Sequence, residues 1–99
     1  MAGLEESAPK IWVAHIRDQG AEFVLVPMGA SFEQKPIEER REVVAGFEAR
    51  AAAAGLPRFV VVVWDIGEGP MRYLGASNFV PAINDWTFRR VLDNLNREI

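Results

Sequence analysis

Cysteine is absent from these 99 residues, and histidine and tyrosine occur once each. Disulfides and thiolate chemistry are thereby excluded, as is any metal motif built on a histidine pair. A transition-metal site would need His15 plus carboxylates gathered from distant segments, so neither a metal nor a cofactor is expected. Positive charge is not in excess: 11 lysines and arginines stand against 14 acids, for a net charge of -3. With those charges interspersed, nothing favours nucleic acid or an acidic membrane as partner. The longest apolar run, Phe59 to Trp64, is far too short to span a bilayer. The first residues, MAGLEESAP, carry acids where a secretory leader needs bases. The expectation is a cytoplasmic protein in which residues 1–9 form a disordered tail.

What is present reads as one folded domain over residues 10–99. Hydrophobic residues make up 49% and charged residues 25%, a globular balance rather than a disordered one. A chain of this length hides only about 65% of its unfolded surface, so every apolar face matters.

Residues 11–28 read as two strands around a tight turn, which predicts a hairpin turning at Gln19-Gly20. Pairing Asp18 with Ala21 sets Arg17 opposite Glu22 and His15 opposite Val24. Pro36 suits the first position of a helix over 36–54, with Glu38 and Glu39 on the favourable side of its dipole. The capping-box spacing of Ser31 and Gln34 offers an earlier start, but it would place Pro36 inside the second turn. Ile37, Val44, Phe47, Ala51 and Ala54 form the apolar face, and Gly55 with Pro57 ends the helix.

A second hairpin is predicted over 58–76. FVVVVWDI is β-branched and does not alternate, which implies a strand covered on both faces. A four-residue loop, GEGP, spares Pro70 from supplying a backbone donor and sets Asp65 opposite Arg72. A loop over 77–86 then leads to a helix over 87–98, capped by Asp85 or Thr87, with Phe88, Val91, Leu92, Leu95 and Ile99 as its stripe. The fold class is therefore α+β in the order ββαββα: a four-stranded, mainly antiparallel sheet with both helices on one face. Strand order 2-1-3-4 is preferred, with 1-2-3-4 as the alternative.

No motif resembles that of a known family. Gly67 and Gly69 lie between strands, whereas a phosphate cradle needs a helix start, so they read as turn formers. Glycosidase-type carboxylates and a Gly-x-Ser-x-Gly nucleophile are both missing. The helical arginines Arg89, Arg90 and Arg97 are diluted by Asp85, Asp93 and Glu98 and read as a solvated face.

One feature points outward. If both helices cover one sheet face, the other shows Ile11, Val13, Val24, Val26, Met28, Val61, Val63 and Leu74, edged by His15. A monomer rarely leaves such a patch bare, and a twin sheet could bury roughly 1,200–2,000 Å² against it. The leading expectation is a non-catalytic interaction domain that forms a homodimer or binds another protein through that face. The alternative is a small enzyme or ligand-binding protein whose polar site, His15, Arg17, Asp65 and Arg72, lies at a dimer seam.

Overall fold

In the computed structural model, which describes residues 10–18, 20–57, 59–67, 69–75 and 86–99, the chain is an α+β domain with a mixed sheet. Strands β1 (Trp12–Asp18) and β2 (Ala21–Met28) precede a short 3-10 turn, Ala30–Gln34, and helix α1 (Ile37–Ala53). Strands β3 (Val60–Trp64) and β4 (Arg72–Gly75) follow, then helix α2 (Phe88–Asp93) and a two-residue strand β5 (Arg97–Glu98). The sheet order is β4-β3-β2-β1-β5. The expected tail at 1–9 and most of the expected loop at 77–86 lie outside the described residues.

The first hairpin has the predicted register: Arg17 pairs with Glu22, His15 with Val24 and Asp18 with Ala21. Helix α1 begins after Pro36 in extended backbone, as Pro36 dictates, and the Ser31–Gln34 stretch forms its own 3-10 turn. Its C-terminus closes with Gly55 N–H donating to Ala52 O and Leu56 N–H to Ala51 O, at 3.1 and 2.8 Å. That pair of bonds gives the last-turn carbonyls of Ala51 and Ala52 donors from beyond the helix and tucks Leu56 into the core.

Three expectations are corrected. First, the sheet has five strands and is mixed. Strands β2 and β3 run parallel, with Val24 opposite Val60 and Met28 opposite Trp64. The 17-residue helix between them carries the chain back along the sheet, as a parallel neighbour requires. Order 2-1-3-4 therefore gives way to 1-2-3-4, extended by β5 beside β1.

Second, the last helix is shorter than 87–98. It ends at Asp93, and Asn96 then donates from Nδ2 to His15 O and accepts from His15 N–H, at 3.0 and 2.8 Å. Those bonds bring Arg97 opposite Val13 and Glu98 opposite Trp12. Thr87 is the cap, its Oγ1 accepting from Arg90 N–H at 3.1 Å.

Third, the helices do not share a face. Helix α1 covers Val13, Val24, Val26, Val60, Val62 and Trp64 through Val44, Ala51 and Phe47. Helix α2 covers Ala14, Phe23, Leu25, Val61 and Val63 through Val91 and Phe88, with Trp86 and Leu95 on either side of it. Every valine of β3 is fully buried, so the valine run does need cover above and below. The chain supplies both covers itself. No helix among the described residues is long and apolar enough to cross a membrane.

Candidate functional site

The division of the helices removes the apolar sheet face as a surface. Val13, Val24, Val26, Val61 and Val63 have no exposed area and belong to two different faces. Ile11 and Leu74 are half-buried against the α1 side. Parallel pairing explains the mixture, because it sets Val24 and Val26 level with Val60 and Val62 rather than with Val61 and Val63.

The polar residues expected to share a site are also separated. His15 and Arg17 sit at the hairpin end of β1, both on Glu22: His15 Nε2 is 2.5 Å from Glu22 Oε2, and Arg17 Nε donates to the same oxygen at 3.3 Å. Arg72 stands at the other end of the sheet, level with Trp64 and Met28. The six residue steps from Glu22 to Met28 span roughly 20 Å of strand.

Asp65 and Arg72 are not cross-strand partners. The register is one residue removed from the predicted one, Trp64 facing Arg72 and Val63 facing Tyr73. Asp65 instead folds its Oδ1 onto Gly67 N–H at 2.9 Å, turning the chain directly after β3. The link is thus Asp65–Met71 rather than GEGP, and Arg72 rotates onto the α1 face.

There it meets a residue that the sequence did not single out. Glu33, on the 3-10 turn, accepts from Arg72 Nε and Nη2 at 3.2 and 3.0 Å and from Trp64 Nε1 at 2.7 Å. These bonds hold its carboxyl below the ordinary carboxylate range, the Arg72 bond contributing most and the Trp64 bond next. Arg72 is raised in return, chiefly by its bond to Glu33. Phe32 packs edge-on against Trp64, with ring centres 4.8 Å apart. Arg40 lies with its guanidinium 5.8 Å from the centre of the Trp64 ring, its Nε donating to Lys35 O.

Around this knot lies an open cleft of about 720 Å³, lined by Glu33, Ile37, Arg40, Trp64, Ile66, Pro70, Met71, Arg72, Tyr73 and Leu74. It sits beyond the carboxyl ends of β2 and β3, where parallel strands leave a crevice between the segments that depart from them. A smaller cleft of about 310 Å³ lies beside it, between Asp65, Met71 and the start of α2. Among the described residues no cluster of histidines and carboxylates could hold a metal ion. Comparisons with protein-family models, curated proteins and solved structures find no match, so the functional reading rests on the cleft itself.

The two carboxylates predict an acid-sensitive fold. Glu22, whose bond to His15 is the main cause, and Glu33 both lie below their ordinary value of 4.5. The unfolded chain therefore takes up protons first, and the stabilisation present above that value is lost as pH falls through the lower folded values. Urea midpoints followed downward from about pH 6 should decline less steeply in a Glu22→Gln, Glu33→Gln double variant than in the wild type. Parallel declines would show that these contacts contribute nothing to the titration.

Proposed function

We propose that the chain is a small, non-catalytic interaction domain that binds a protein partner through the cleft at the carboxyl ends of β2 and β3. One observation carries this reading. Six large apolar side chains are exposed among the described residues; Ile37 (39%) and Ile66 (37%) line this cleft, and Tyr73 (37%) borders it on the edge strand with its ring on the opposite sheet face. They come from a helix start, a loop and an edge strand, yet gather around one concavity with a charged floor. Exposed apolar residues gathered beside polar groups mark a protein-binding patch. The role expected for the sheet face thus passes to a different surface, and self-association remains one form it can take.

Glutamates at Ile37 and Ile66 test it, because both side chains are exposed and their replacement should change stability by only about 0.5 kcal/mol. Light scattering over a concentration series, with crosslinking in extract of the native host, reads binding. The wild type should form a dimer or retain a partner, and Ile37→Glu, Ile66→Glu should abolish this with melting unchanged. His15→Ala, remote from the cleft, should leave it intact. A wild type that stays monomeric and retains nothing, or retention indifferent to the glutamates, would overturn the reading.

A further inference from the structure

The edge of the sheet next to the cleft shows how a partner could be held. Val24 N–H donates to Phe59 O at 2.8 Å, which turns the backbone groups of Val24 and Val26 toward β3. In that parallel ladder Val61 and Val63 face back toward β2, so Val62 and Trp64 present their N–H and C=O to β4. Their partners, Leu74 and Arg72, face β3 in return. The outward groups of β4 are therefore those of Tyr73 and Gly75, and no strand among the described residues pairs with them. The free edge and the cleft share Arg72, Tyr73 and Leu74.

Charge narrows the occupant. Arg72 and Leu74 lie on the α1 face, beside Trp64 and Val62, and Tyr73 lies on the other. Arg40 and Arg72 bring two positive charges to the cleft against the single carboxylate of Glu33. Arg72 is bonded to Glu33, and Arg40 acts on the same carboxylate only through space, no carboxylate of the described residues lying within 4.0 Å of it. The cleft is thus locally cationic on a chain whose net charge is -3.

Resting on the reading of the cleft as the partner-binding surface, we infer that the partner is an extended acidic segment of a different protein. It adds to β4 as a sixth strand, with its carboxylates on the α1 face toward Arg40 and alternate apolar side chains beside Tyr73. The main chain supplies the hydrogen bonds, and the alternation supplies the specificity. A second copy of this acidic chain is less suited to a cationic cleft.

Amide hydrogen exchange tests it, with a short peptide of alternating valine and aspartate as probe and its valine–lysine counterpart as control. In dilute protein alone, Leu74 N–H should be protected and Tyr73 N–H should exchange freely. The aspartate peptide should slow Tyr73 about tenfold while the lysine peptide does not, and Arg40→Gln should remove most of the response. Protection of Tyr73 in dilute protein would show that its own chain covers the edge. Protection growing with protein concentration would assign the edge to a second copy. Either result, or equal responses to the two peptides, overturns the inference.

A proline at position 73 separates strand addition from the cleft reading, since beyond the ring that Tyr73→Ala also removes it takes away an outward donor. Tyr73→Pro should therefore abolish the retention that a Tyr73→Ala variant of equal stability loses only in part. Retention that survives Tyr73→Pro but not Ile37→Glu, Ile66→Glu would end strand addition and leave the cleft standing.

Discussion

Gly75→Ala should destabilise the domain by about 3 kcal/mol or more, although it adds a single methyl group. The backbone at Gly75 has φ +141°, a conformation that side chains with a Cβ rarely adopt. A Cβ there would sit 2.3 Å from Val60 O and 2.9 Å from Val61 Cα. Both atoms belong to the backbone of β3, the most deeply buried strand, so neither can move aside cheaply. Gly20→Ala is the control. Its φ is +81°, yet nothing lies within 4 Å of the added atom, and the substitution should cost only about 1–2 kcal/mol. Urea unfolding at constant m-value measures both. Equal losses would mean that β4 does not lie as close to β3 as the ladder indicates.

Legibility in the sequence followed the range of the interaction. The first hairpin and α1 were readable because their signals are local. The two-residue turn at Gln19-Gly20 set the register, while Pro36 and Gly55 marked the ends of the helix. The valine run announced burial on both faces, but it reads the same in parallel and antiparallel pairing. The preference for antiparallel contacts therefore points to β1 as its neighbour, and the parallel β2–β3 ladder corrects the order 2-1-3-4 that follows from it.

The second hairpin failed by a single residue. Asp65 capping Gly67 lengthened the link, and an odd shift moves every side chain of β4 to the opposite face. That shift separated Arg72 from Asp65 and delivered it to Glu33, 39 residues away in sequence. Nothing local marks Glu33 as a partner of either Arg72 or Trp64. The last helix misled for a related reason. Leu95 and Ile99 continue a helical stripe, yet they reach the core from an irregular segment and from the end of β5, whereas Leu92 stays exposed.

Trp64→Ala should cost about 3–5 kcal/mol, a large fraction of the stability of a domain of this size. The indole is 2% exposed and closes the top of the α1-side core. Removing it would leave a cavity against Phe32, free Glu33 from its donor and take away the surface beneath Arg40. Trp64→Phe retains most of the apolar area and the contact with Phe32, losing chiefly the Nε1 bond, so it should cost about 1–3 kcal/mol. The two variants thus separate packing from hydrogen bonding. Because Arg72 still holds Glu33 in the phenylalanine variant, the cleft should keep its shape, and partner retention should weaken in Trp64→Ala well before it does in Trp64→Phe. A loss below about 2 kcal/mol for the alanine variant would show that the site collapses readily around the gap. Trp64 would then cover the core rather than anchor the cleft, and the cleft would have no rigid floor.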